Sequence, residues 1–361
     1  MKITVLVARY AVSGVPLAQI RLAKALSERG HEVDLVFGQL ADETPLRKQG
    51  DFNLLVLGCD KVRHVTWPLV KYLRSAQPDV IFSAEDHLNT IVAIAAVLAR
   101  SQVKISASSR VTPYDTYSGR MGAILKALVP LVMWRADVVT CVSEDMVLQY
   151  KAIFRNSRHV CVYNIADFES AGELAKEDLN DPWFANRECP VLVAAGQLGP
   201  WKGFSDLIKA ISIVQERRAV KLVILGEGQQ RQELQSLINK LKLQNAVRLQ
   251  GNVGNPLKYF ANADLFVLSS LLEGMPNVLI EAMMVGCTSV ATDCPTGPRE
   301  LLDDGRYGYL AEVEDPVSLA TNILKALDNP IEPELLQMAL EPFHATKVVE
   351  KHFKFLGLSE F

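Results

Sequence analysis

The chain has 361 residues, of which 49% are hydrophobic and 22% charged, so it is too long for one ordinary core and too apolar for disorder, and two domains are expected. Its formal net charge of -3 argues against a general nucleic-acid binder. That charge is uneven: residues 1–165 carry 20 Lys and Arg against 14 Asp and Glu, the remainder 18 against 27, which turns the amino-terminal half toward anionic surfaces or substrates.

The opening MKITVLVARY reads as a first β-strand. Arg9 interrupts its apolar run and no small-residue cleavage site follows, so a signal peptide is not expected. A helical pattern from Leu17 to Arg29 stops at Gly30, and EVDLVF follows as a second strand. NLLVLG, a helix around Leu69 to Ser75, DVIFSA and a helix from Asn89 to Arg100 repeat the rhythm, with further strands at Lys104 to Ala107 and Val138 to Val142. Continuous apolar strands alternating with amphipathic helices indicate a parallel sheet covered on both faces. Residues 120–137, RMGAILKALVPLVMWRAD, set Arg120, Lys126 and Arg135 around an apolar stretch. It is either a buried helix leading into a strand or an element lying on a membrane surface, its cations on anionic headgroups.

The polar, aperiodic segment Ala166 to Cys189 is the expected linker. A second cycle then runs through VLVAAG, a helix from Phe204 to Arg217, KLVILG, a helix from Gln229 to Leu241, VRLQG, a helix from Pro256 to Asn262, LFVLS and TSVAT. The fold class is therefore α/β: two doubly wound, Rossmann-like parallel-sheet domains in tandem, with a ligand cleft between them. Pro330, Pro333 and Pro342 break the chain before a helical tail. Cys59, Cys141, Cys161, Cys189, Cys287 and Cys294 form no C-x-x-C and lie in or beside apolar runs, as reduced thiols of a cytoplasmic protein do. No window of 18 or more uninterrupted apolar residues occurs, so no membrane span is expected.

In such sheets the informative residues follow the strands. After the first strand, Gly14 precedes a helix; it permits the turn, or lets the backbone approach a phosphate at the helix N-terminus. AAGQLGPWKGFSDLIKA places Lys202 in a loop directly before a helix, a reasonable diphosphate cradle or simply a solvated lysine. GEG at 226–228 lacks the spacing of the dinucleotide fingerprint and more readily permits a tight turn. In LLEGMPNVLIEAMMVGC, Glu273 falls in the loop after a strand, Pro276 takes a first helical position and Asn277 to Val285 form a short helix closed by Gly286. Glu281 lies on that helix, and an ionised carboxylate, a pure acceptor, suits paired hydroxyls of a sugar or ribose. TDCPTGPREL adds Thr296, Gly297 and Arg299 to the same rim.

Together, LLEGMPNVLIEAMMVGC, the G-x-L-x-x-x-K-G loop, GEG and the VYN near residue 164 resemble the family 4 glycosyltransferases, retaining enzymes of the GT-B fold. The run from Glu273 to Leu301 is especially similar to members that use UDP-N-acetylhexosamine-type donors. The resemblance implies a donor site of Gly14, Gln197, Lys202, Val253, Glu273, Gly274, Met275, Asn277, Val278 and Glu281. In it Glu273 holds sugar hydroxyls, Glu281 the ribose, Lys202 and backbone N–H groups the diphosphate, and backbone near Val253 the base. It also implies an acceptor-binding domain over 1–166, completed by a C-terminal helix at about 340–361, and a nucleotide-sugar domain over 167–339.

Two positions depart from the family pattern. Gln197 stands where an arginine is usual, and SSRVTPY offers Arg110 where many members have a histidine. Arg110, His87 and Tyr114 are the acceptor-side candidates, and Arg110 joins Glu273 and Lys202 as a candidate for catalysis. No D-x-D occurs, so no metal and no cofactor beyond the UDP-sugar substrate are expected. The implied reaction is front-face transfer of a hexose or N-acetylhexosamine to a glycan or lipid-linked glycan, at the inner face of the cytoplasmic membrane. Two other readings stay open: a nucleotide-sugar-binding homologue that has lost turnover through Gln197 and the missing histidine, and, separately, a GT-B nucleotide-sugar epimerase.

Overall fold

The computed structural model describes residues 1–10, 14–40, 51–113 and 119–358. The chain divides into two compact units, Met1–Ile165 with Pro342–Phe361, and Ala166–Glu341.

The first unit holds strands β1 (Lys2–Tyr10), β2 (Glu32–Leu40), β3 (Asn53–Val56), β4 (Val80–Ala84), β5 (Lys104–Ser109), β6 (Val138–Cys141) and β7 (His159–Cys161). They form one sheet of order β3-β2-β1-β4-β5-β6-β7, and each pairing is parallel. The chain winds outward from β1 in one direction and, after returning to β4, in the other, which makes the β1–β4 boundary the topological switch point. VIFSA of β4 is buried at every residue, as expected of a strand covered on both faces. One core, on one face of the sheet, joins Ile3, Val5 and Phe82 to Ile20, Ala23 and Leu26 of the helix Gly14–Glu28. The C-terminal helix Ala345–Leu356 completes this core with Val348, Val349, Phe353 and Leu356. Its anchors are polar as well: Lys104 Nζ donates to the Leu356 carbonyl at 2.6 Å, and His352 lies 3.3 Å from Ser106 Oγ and edge-on to Phe82. The other face carries the helices Thr66–Ala76, Asp86–Ala99 and Gly119–Arg135, whose Leu69, Leu73, Leu88, Val92 and Val132 share a second core.

The second unit holds β8 (Val191–Ala195), β9 (Lys221–Leu225), β10 (Val247–Gly251), β11 (Leu265–Leu268), β12 (Ser289–Thr292) and β13 (Tyr309–Ala311). The order β10-β9-β8-β11-β12-β13, again parallel, repeats the same winding, and the switch point falls between β8 and β11. Leu207, Ile211 and Val214 of the helix Phe204–Gln215 and Leu319 and Ile323 of Pro316–Asp328 cover one face.

The expected linker is corrected by the structure. Ala166 to Cys189 contains the helices Phe168–Ala175 and Pro182–Ala185, which belong to the second unit. Side-chain caps hide their helical signal: Asp167 accepts from Ser170 N, and Asp181 accepts from Trp183 N while pairing with Arg248. The six cysteines are free thiols, four of them buried. Among the described residues no helix is long and apolar enough to cross a membrane.

Candidate active site

At a switch point two neighbouring strands send their following loops apart, and the second unit fills the opening between them with one cation and one carboxylate. β8 leads through Gly196 and Gln197 into a single turn, Pro200–Lys202, before the helix Phe204–Gln215. β11 leads through Ser269 and Ser270 to Glu273 and the helix Asn277–Met284. The two loops are laced together: Leu271 N donates to the Trp201 carbonyl and Ser269 Oγ to the Lys202 carbonyl, both at 2.8 Å. Such an approach leaves no room for a side chain at Gly203, whose φ is +62° and whose Cβ would lie 2.0 Å from the Ser269 carbonyl oxygen. Gly226, at φ +133°, is required in the same way, because a Cβ would lie 1.9 Å from the Gly196 oxygen. The GEG turn therefore serves backbone packing, and Glu227 spends its charge on Arg231 at 2.5 Å.

Lys202 Nζ meets Glu273 Oε1 at 2.5 Å, with only 16% and 12% of the two side chains exposed. Ser270 Oγ donates to the same oxygen at 2.6 Å. The backbone at Glu273 is fixed from the loop after β12, where Thr296 donates its hydroxyl to the Glu273 carbonyl. Burial, then the negative charge of Glu273, drives the neighbouring Cys294 thiol up to about 12, with Lys202 opposing, so it is an inert filler and not a nucleophile. Gly274 and Met275 continue from Glu273, Pro276 is the N-cap in an extended conformation, and Asn277 opens the helix with Val278. This helix has no side-chain N-cap, and its N-terminal end supports anions. Glu281 lies partly buried one turn further on. The helix ends at Met284, with Val285 as C-cap, rather than at Val285, and Gly286 at φ +79° turns the chain.

Gln197 is exposed at the start of the β8 loop, and Val253 is partly buried just after β10. Arg299 is not available to the rim: it pairs with both Asp293 and Asp304. Of the donor-site candidates only Gly14 lies in the first unit, as the first residue of the helix Gly14–Glu28.

The first unit gathers its own polar cluster at the carboxyl ends of β4 and β5. Arg110 follows β5 and is held by two side-chain oxygens, Asn164 Oδ1 on Nη1 and Gln19 Oε1 on Nη2, the latter at 3.2 Å. Its Nε is buried without a partner among the described residues. Burial lowers Arg110 to about 10, opposed by the charge of Glu85, so the guanidinium stays cationic at neutral pH. His87, in the first turn of Asp86–Ala99, lies 3.8 Å from Glu85. Ser106, Ser108 and Ser109 are buried, with Ser109 Oγ donating to Asp86 Oδ1 at 2.5 Å. Tyr114 lies outside the described residues. Sequence reasoning missed Asp86, Gln19 and Ser270; only the VYN that carries Asn164 had been singled out.

Two doubly wound parallel sheets in tandem define the GT-B class. A family model described as Glycosyl transferases group 1 matches residues 175–339, and one described as Glycosyl transferase 4-like domain matches residues 13–164. The chain belongs to this glycosyltransferase family. It is 31% identical over 254 residues to an uncharacterised glycosyltransferase of Methanocaldococcus jannaschii, covering 67% of this chain and 62% of that protein. It is 34% identical over 208 residues to the N-acetylgalactosamine-N,N'-diacetylbacillosaminyl-diphospho-undecaprenol 4-alpha-N-acetylgalactosaminyltransferase of Campylobacter jejuni, covering 56% of this chain and 54% of the enzyme. The chain thus spans under two thirds of the length of both relatives. In fold it is similar to Anabaena HepE in complex with UDP and glucose, with a TM-score of 0.82, 21% identity and 99% of each chain covered.

Proposed function

We propose that this protein is a retaining, metal-independent glycosyltransferase that moves a hexose or N-acetylhexosamine from a UDP-sugar to a glycan or lipid-linked glycan. The observation that carries the reading is the Lys202–Glu273 pair, a cation and an acceptor-only carboxylate locked at 2.5 Å beside a helix N-terminus at the switch point of the second unit. A diphosphate needs the cation and the N–H groups; a sugar needs the carboxylate. The donor relative is the HepE complex with UDP and glucose, and the acceptor relative is the Campylobacter enzyme, whose name specifies a diphospho-undecaprenol glycan.

In the proposed reaction the acceptor hydroxyl forms its bond to the anomeric carbon on the face from which the phosphate oxygen departs. The anomeric C–O bond to phosphate breaks and that oxygen takes the acceptor's proton. Lys202 and the N–H groups of Met275, Asn277 and Val278 stabilise the leaving diphosphate, Gln197 supplies a neutral hydrogen bond, and Val253 and Glu281 hold base and ribose. Glu273 grips remote hydroxyls and so orients the sugar. Arg110, His87 and Tyr114 serve the acceptor, and the helix Gly119–Arg135 rests on the inner face of the cytoplasmic membrane.

Incubation with a panel of labelled UDP-sugars, membrane extract and EDTA tests the reading. Label should move to a glycan or lipid fraction at an undiminished rate in the chelator. Free sugar with UDP, an epimerised donor, or bound but unreacted donor would sink it, the last two in favour of the epimerase and the impaired homologue.

A further inference from the structure

We propose that Glu85 recognises the acceptor, its carboxylate accepting hydrogen bonds from hydroxyls of the acceptor sugar. The proposal rests on the reading of this protein as a glycosyltransferase and adds to it a residue that carries acceptor specificity.

Place is the first argument. The sheet of the first unit reverses direction between β1 and β4, and ligands of doubly wound sheets bind at the carboxyl ends of the strands beside that reversal. Glu85 is the first residue after β4. The second unit repeats the winding, and there the strand across the switch point, β11, is followed by Glu273. The two units thus carry a carboxylate after corresponding strands, one set for the donor sugar and the other without an assigned ligand.

Conformation is the second. Glu85 has φ +78° and ψ +132°. Gln77 and Arg100 also have positive φ, but both sit in the left-handed helical well at helix C-caps, at 44°, 57° and 52°, 38°. Glu85 lies outside that well, in a region where a side chain is strained and glycine is not. The surroundings enforce it: Glu85 N donates to the Ser108 carbonyl at 2.9 Å, and the Glu85 carbonyl accepts from Leu88 N at 3.0 Å and Asn89 N at 2.9 Å. A glycine would make the same turn with less strain, so the side chain has a use that the fold does not require.

Its neighbours indicate that use. Asp86 is turned inward and accepts from Ser109 at 2.5 Å and from Tyr150 OH at 2.9 Å. Glu85 keeps 36% of its side chain exposed, and its carboxylate lies 3.8 Å from His87 Nε2. Arg110 is immobilised nearby by Asn164 and Gln19, and its positive charge acts on Glu85. A rigid, partly exposed carboxylate beside the Arg110 cation fits vicinal hydroxyls of a pyranose.

Glu85→Gly and Glu85→Gln test this, read by melting temperature, UDP affinity and transfer to polyprenyl-diphosphate N-acetylhexosamine and to methyl N-acetylhexosaminides. The glycine variant should melt at or above the wild-type temperature and bind UDP equally, while its acceptor KM rises at least tenfold and kcat changes less. The glutamine variant should fall between. A wild-type acceptor KM in Glu85→Gly overturns the proposal. If the wild type transfers to neither probe, the glycosyltransferase reading fails by itself. Saturation-transfer NMR of the methyl glycosides on UDP-saturated protein then still decides: a signal lost in Glu85→Gly supports the proposal, and an equal signal or none in the wild type overturns it.

Discussion

Lys202 and Glu273 are each other's partner, at 2.5 Å and largely out of water. In the proposed reaction a diphosphate arriving at Lys202 would compete with the Glu273 carboxylate, and the displaced carboxylate would then be available to sugar hydroxyls. Two substitutions should therefore separate. Lys202→Gln removes a charge-assisted contact of about 1.5–3 kcal/mol, so UDP binding should weaken roughly 10- to 100-fold. Glu273→Gln should cut transfer by orders of magnitude while UDP binds as well or more tightly, because Ser270 can still donate to the amide oxygen and Lys202 is no longer neutralised. Titration calorimetry beside rate measurements checks both; equal losses of UDP affinity in the two variants would contradict the assignment. Both residues were legible in the sequence because strand, loop and helix signals bracket them. Their contact was not, since 71 residues separate them and only the β8–β11 pairing brings them together. Glu85 was invisible for a different reason: backbone strain leaves no mark in composition or periodicity.

Among the elements, the helix Gly119–Arg135 settles part of an ambiguity left by its sequence. Val129 and Val132 are buried, so one face is core, while Ile124 is 53% and Trp134 70% exposed. With Ala123, Ala127 and Pro130, also exposed, these make an apolar stripe at helical spacing, with Arg120 at its amino-terminal end and Lys126 along one side. Arg135 is withdrawn from that role, because it donates to the Ser101 and Val103 carbonyls at 2.8 and 3.0 Å. Each exposed cation near an anionic surface contributes about 1 kcal/mol, to which the stripe adds burial of Trp134. Sedimentation with vesicles containing anionic lipid should show binding that falls at least tenfold in an Ile124→Ser, Trp134→Ser double variant; undiminished binding would remove this helix from the membrane. Outside one segment, the alternation of strands and helices was readable from apolar strands and amphipathic helices. The segment Ala166 to Cys189 was misread because its two short helices are fixed by caps and by the Asp181–Arg248 pair, not by a periodic apolar face.

For the whole molecule, one winding is used twice. Each unit reverses its sheet at the first strand of the cycle, and each places charged side chains at that reversal: Lys202 and Glu273 in one, Glu85 beside Arg110 in the other. The net basic charge of residues 1–165 and net acidic charge of the rest, visible in the sequence, accompany this division. The resemblance implied that a C-terminal helix completes the first domain, but not the contacts that hold it there, in particular His352 between Phe82 and Ser106. The central claim is that a UDP-sugar is transferred with its anomeric configuration kept, and proton NMR of the reaction, followed from mixing with a UDP-α-linked donor, tests it most directly. The account predicts that the first product signal is an α-linked anomeric proton on the acceptor, growing in step with UDP; a β-linked first product, or UDP appearing only with free sugar, would contradict it.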